Sequence, residues 1–250
     1  MEPADREMTL AEHLDELRRR LIVSLAALAI GTALVWAWSG EILSWLARPA
    51  GGLVFTAPTE AFLTRMRAAF FGGLLLSLPV ILYEAWSFTA CALAAELRRS
   101  LSAILPLSYA LFLAGTALGV FVVVPATVRV LVGFGSADVR PLLSAANYLE
   151  FVVWLSLAFG AVFQLPVVLV FLAKAGVVTP ETLRERRRVC WLAAFVAAAV
   201  LTPGPDLFSQ VALAVPMILM FEGSLLMMKS GSPEVPTSRY PRPTDGDAPR

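Results

Sequence analysis

Two carboxylates stand beside arginine clusters in stretches that otherwise read as the edge of a membrane. Glu16 lies in LAEHLDELRRRL, residues 10 to 21, and Glu96 lies in FTACALAAELRR, residues 88 to 99. In partly dehydrated surroundings a carboxylate accepts two parallel hydrogen bonds from a guanidinium, so two such groups on one side of a membrane could bind the arginines of an extended peptide. Glu16 also stands four residues before Arg20, and Asp15 four before Arg19. A solvated stripe of i,i+4 ion pairs therefore accounts for the first stretch as well.

Other chemistries find little to work with. No phosphate-cradling Gly-x-x-x-x-Gly-Lys-Ser/Thr occurs, so the chain has no visible means of using a nucleotide. His13 is the sole histidine and lies outside the apolar runs, which argues against a histidine metal site or a Ser/His catalytic pair. Cys91 and Cys190 are far apart, show no metal or redox spacing, and read as structural thiols. The expectation is a protein that is not an enzyme and has no cofactor, metal or nucleic-acid partner. Polar groups within the apolar runs are few. Gln164, two residues before Pro166, is the clearest, with a structural hydrogen bond and a substrate-facing role both open. Glu84 and Glu150 fall near the ends of runs, where a carboxylate can reach interfacial water.

The elements that carry these residues follow from composition. A chain of 250 residues with 58% hydrophobic and 16% charged residues, and a mean hydropathy of +0.74, has more apolar surface than a water-soluble fold can hide. Apolar runs at about 21–38, 68–88, 103–128, 148–173, 189–202 and 207–228 read as six transmembrane helices of an all-α integral membrane protein. The fifth, roughly 14 residues, is short for the ~20 that a span requires, so thinned bilayer or protein neighbours must help it.

The positive residues orient these spans. With the amino terminus inside, only Arg48, Arg65, Arg67, Arg129 and Arg140 of the 20 lysines and arginines fall outside. An even number of spans with both termini cytoplasmic satisfies that bias. Residues 1–20 read as a cytoplasmic amphipathic helix, 21–228 as the six-span membrane domain and 229–250 as a disordered cytoplasmic tail rich in proline. Ile42, Leu43, Trp45 and Leu46 suit a short interfacial helix ending before Pro49. Pro79, Pro106, Pro125, Pro166 and Pro216 fall inside spans and favour curved walls over a straight bundle.

Several segments together resemble the TatC family of twin-arginine translocase subunits. They are HLDELRRRL at 13–21, the spacing of Pro58, Glu60 and Phe62, SLPVILYEAWSF at 77–88, FVVVP at 121–125, FGAVFQLPV at 159–167 and LTPGPDLFSQ at 201–210, followed by Pro216 and the Phe221-Glu222 pair. The resemblance covers the chain from the first helix through the sixth span. It implies a glove-like bundle in the bacterial inner membrane, with spans five and six short. It also implies a receptor for twin-arginine signal peptides, working with the single-span partners TatA and TatB and with further copies of itself. Folded proteins would be exported on the proton-motive force. By residue match, Glu16, Arg18 and Phe88 fall in the signal-peptide site, while Pro49 and Phe62 fall in the periplasmic cap and Asp206 at the tip between spans five and six.

Two positions depart from the family pattern. The loop carboxylate, Glu96, stands eight rather than nine residues after Phe88, and Gln164 replaces a glutamate frequent in span four. The peptide's apolar segment is expected along the concave wall near Gln164. A secondary transporter of small molecules is the rival reading, suggested by proline-broken spans, and the missing internal repeat counts against it.

Overall fold

The computed structural model describes residues 10–91, 101–134, 142–202 and 207–230. Its elements are helices: α1 (Leu10–Val35), α2 (Ser39–Ala47), α3 (Glu60–Cys91), α4 (Leu101–Leu118), α5 (Val124–Gly133), α6 (Ala145–Val162), α7 (Leu165–Lys174), α8 (Pro180–Glu185), α9 (Arg187–Leu201) and α10 (Leu207–Ser230). The amphipathic stretch and the first apolar run form one unbroken helix, α1. The short helix expected ahead of Pro49 is α2, followed by a 3-10 turn at Arg48–Ala50.

Proline acts on these helices in two ways. Pro79, Pro106 and Pro216 are accommodated inside α3, α4 and α10. Pro125 cannot donate to the carbonyl four residues back, and the ladder ahead of it widens into a π turn at Gly119–Val123 before α5 begins. Pro166 likewise leaves the Val162 carbonyl without its helical donor. There α6 stops, the Gln164 amide donates instead to Ala161 (3.0 Å), and α7 starts.

Among the described residues, five stretches are long and apolar enough to cross a membrane: Ala11–Ala50, Glu60–Thr89, Ile104–Gly133, Ala145–Lys174 and Leu207–Met228. The shorter α9 has 15 residues, about 22 Å of helix against a ~30 Å hydrocarbon core. The turn expected at 203–206 lies outside the described residues, as do 1–9 and 231–250.

Among the described residues α6 is the central helix. Leu149, Val152, Leu155 and Phe159 recur three or four positions apart and are fully buried against Phe71 of α3, the π turn and Leu213 of α10. Lipid supplies no hydrophobic drive between helices, so close backbone approach at small residues must hold them. A Cβ on Gly73 of α3 would stand 2.5 Å from the Thr32 Cα of α1, and one on Gly160 of α6 would stand 2.6 Å from the Thr116 hydroxyl of α4.

Contacts between α1 and α3 pair Arg20 with Glu84, Gly31 with Gly73 and Trp36 with Phe62, so the two helices run antiparallel. The end carrying Arg18 to Arg20 is termed inner, following the charge bias. At the outer end Trp36, Trp38 and Trp45 are exposed, as anchoring aromatics at a membrane interface are.

Candidate functional site

At its inner end α1 brings His13, Glu16 and Arg20 to one face through i, i+3 and i+7 spacing, and α3 brings Glu84 and Phe88 to a facing stripe through i, i+4. Arg20 Nε donates to Glu16 Oε1 at 2.7 Å, and its NH1 reaches Glu84 Oε2 at 3.1 Å. The three side chains are only 17%, 21% and 16% exposed, so this is a partly desolvated cluster rather than a surface pair. One turn closer to the inner tip of each helix, the rings of His13 and Phe88 stack with centroids 4.6 Å apart and planes 27° apart.

The antiparallel register through Gly31 and Gly73 makes these contacts possible. The cluster has two carboxylates on one guanidinium, with an aromatic pair alongside. Such a surface is suited to holding guanidinium groups.

Of the residues expected at this site, Glu16 and Phe88 meet on it, and Arg18 is exposed beside it. Glu96 lies outside the described residues. Sequence reasoning treated Glu84 as a carboxylate reaching interfacial water and gave His13 no role; the signal available was the four-residue spacing of Glu84 and Phe88.

Gln164 sits at the break between α6 and α7. Its amide nitrogen donates to the Ser108 carbonyl of α4 at 2.8 Å, while the Ser108 hydroxyl accepts from Trp86 Nε1 of α3 at 2.9 Å. Trp86 also meets Phe171 of α7 edge to face, with centroids 5.0 Å apart. Three walls of the bundle are thus joined around Ser108, which is fully buried.

Gln164 does not line the main groove. That groove, about 1060 Å³, lies between α1, α3 and α6, with Leu25, Thr32 and Trp36 on one side, Phe70 beneath, and Trp154 and Leu157 opposite. Its polar rim is the ion pair of Arg67 and Glu150, 3.0 Å apart, with Arg67 also donating to the Ala146 carbonyl. The Thr32 hydroxyl is buried in it with no partner among the described residues.

The outer cap is knit by one carboxylate. Glu60, at the start of α3, accepts from the Thr56 amide and hydroxyl, the Ala57 amide, the Ser144 hydroxyl and the Ala146 amide. Beside it Val54 bridges to the 143–145 segment through two backbone hydrogen bonds of 3.0 Å. Phe62 lies exposed against Trp36 at 5.9 Å, and Pro49 lines a small cavity of about 170 Å³ with Trp45 and Phe121. Asp206 lies outside the described residues. Glu222, of the Phe221-Glu222 pair, accepts from Arg187 (2.7 Å) and Trp191 (3.3 Å) and fastens α10 to α9.

Residues 12–216 match the model of a family described as Sec-independent protein translocase protein (TatC). A protein of that name from Carboxydothermus hydrogenoformans is 36% identical over 234 residues, covering 92% of this chain and 96% of that relative. One from Magnetococcus marinus is 39% identical over 228 residues, covering 88% and 84%. A crystal structure described as the twin arginine translocase receptor TatC in DDM superposes with a TM-score of 0.78 at 35% identity, over 87% of this chain and 99% of the other.

Proposed function

Because the chain belongs to the TatC family of Sec-independent protein translocase proteins, we propose that the inner α1 and α3 face is where it takes the arginine pair of a signal peptide. The chain is a receptor core of the twin-arginine translocase, a receptor rather than a catalyst, and a multi-pass protein of the bacterial cytoplasmic membrane. In this reading Glu16 accepts one peptide guanidinium, and Glu96 supplies the second carboxylate from the segment after α3. Arg18 lies beside them, and Phe88 and His13 form an aromatic flank against which a planar guanidinium can stack.

One observation carries the reading: the Glu16 carboxylate already holds a guanidinium, that of Arg20, in a partly desolvated setting. The peptide's apolar segment lies along the groove between α1, α3 and α6, about 13 Å along α1 from Glu16 to its first lining residue, Leu25. Working with TatA- and TatB-type single-span partners and with further copies of itself, the receptor delivers folded cargo on the proton-motive force, and its exposed apolar faces meet lipid and those partners. The outer cap, with Pro49 and Phe62, holds the far ends of the spans, and by residue match to the family Asp206 belongs to the tip between spans five and six.

The test is photo-crosslinking from positions flanking the arginine pair of a synthetic signal peptide to the chain in membranes. Crosslinks to α1 near Glu16 that vanish when Glu16 and Glu96 are both replaced by alanine support the reading, and unchanged crosslinking sinks it. A peptide with lysine in place of both arginines crosslinks more weakly, because an ammonium cannot form the bidentate pair.

A further inference from the structure

We infer that the groove between α1, α3 and α6 seats one acyl chain of an outer-leaflet phospholipid with an amine headgroup, its phosphate on Arg67 and its ammonium on Glu150. The inference concerns the chain by itself and stands whether or not a signal peptide uses the same groove.

The groove is one leaflet deep. Its lining runs along α1 from Leu25 to Trp36, roughly 16 Å of helix, against about 15 Å for half of a ~30 Å hydrocarbon core. Trp36 stands at the shallow end with the other exposed tryptophans, so the groove starts at the outer headgroups and stops near the bilayer centre. Leu25, Trp36 and Trp154 line it and are exposed, so the groove opens sideways onto lipid.

The rim supplies the headgroup contacts. Arg67 and Glu150 are 36% and 47% exposed, and neither is saturated by the other. Arg67 donates from NH1 to the Ala146 carbonyl and pairs through NH2 with Glu150 Oε2, which leaves Arg67 Nε and Glu150 Oε1 without partners among the described residues. A guanidinium suits a phosphate, and a free carboxylate oxygen accepts from a primary ammonium. One cation and one anion side by side therefore match the phosphate and ammonium of a zwitterionic headgroup. A choline headgroup offers Glu150 no N–H, and a glycerol headgroup brings its phosphate beside that carboxylate with no cation to offset it. A peptide segment that enters the groove does so by displacing the acyl chain.

The test adds equal amounts of phosphatidylethanolamine, phosphatidylcholine and phosphatidylglycerol with identical acyl chains to the full chain in nonionic detergent, and reads bound lipid by native mass spectrometry. One phosphatidylethanolamine per chain is expected, preferred about two- to fivefold over the other two, the scale of one exposed charge pair. In E150Q the preference over phosphatidylcholine is lost. A33W sets a large ring in the groove about one turn below Trp36, away from the rim, and lowers binding of all three. Equal uptake of the three lipids, a preference for phosphatidylglycerol, a preference that survives E150Q, or binding that A33W leaves unchanged overturns the inference. So does a lipid-free dimer that A33W dissociates, which would place a second copy in the groove.

Should E150Q fail to fold, as judged by its thermal unfolding, the native chain decides with N-methylated forms of phosphatidylethanolamine. Affinity is expected to fall as each N–H is removed, and an affinity indifferent to methylation overturns the inference.

Discussion

The Glu60 carboxylate accepts a hydrogen bond from the Ala146 amide at 2.8 Å, joining the start of α3 to the start of α6 across 86 positions of sequence. All five hydrogen bonds to its carboxylate, from four residues, come from donors, which matches the acceptor-only ionised form, and the residue is only 4% exposed. Replacing Glu60 with alanine strands buried donors on both outer loops and is expected to cost about 3 kcal/mol or more. Glu60→Gln, which turns a donor toward donors, falls between alanine and the native residue. Thermal unfolding in detergent checks that order, and a glutamine variant as stable as the native protein would contradict it.

Gly73 is a place where α1 and α3 approach so closely that an added Cβ would stand 2.5 Å from the Thr32 Cα. Gly73→Ala sets a methyl group against the Thr32 backbone and should destabilise by about 2 kcal/mol. It should also loosen the contact of Arg20 with Glu84, which depends on the same register. Gly223→Ala, where an added Cβ meets nothing within 4 Å, is the matched control and should be neutral or slightly stabilising. Unfolding curves that fail to separate the two variants would contradict the packing account.

Trp86 and Gln164 both end on Ser108, one at its hydroxyl and one at its carbonyl. Trp86→Phe and Gln164→Leu should each cost about 1 kcal/mol, the usual scale for a hydrogen bond between helices in a membrane. Because both act on one residue, the double variant should lose measurably less or more than the sum of the single losses. Strict additivity in unfolding would mean that Ser108 does not couple the three walls.

Much of this architecture is readable from residue patterns, and what is not depends on register. The amphipathic start of α1, the short α2 before Pro49 and the break at Pro166 follow from periodicity and from proline's missing donor. The pairing of Glu16 with Arg20 follows from helical spacing alone, whereas the matching stripe of Asp15 and Arg19 forms no ion pair among the described residues. Glu84 joins the cluster only because Gly31 and Gly73 set how α1 slides along α3, a fact that neither helix carries by itself. Glu60 stands in a recognisable spacing with Pro58 and Phe62, yet its donors at Ser144 and Ala146 belong to a distant loop. For Gln164 the sequence leaves a structural hydrogen bond and a peptide-facing role both open, and its amide nitrogen donates to the Ser108 carbonyl of α4, a contact across helices that sequence spacing does not reveal.

The central claim is that Glu16 is a guanidinium acceptor for a peptide ligand. The most direct measurement compares the affinity of the purified native protein and its Glu16→Gln variant for a peptide carrying an arginine pair, with thermal unfolding run on both. Removing one partner of a partly buried charge pair is expected to weaken binding by at least about thirtyfold, with folding retained. A folded Glu16→Gln variant that binds the peptide as tightly as the native protein would contradict the account.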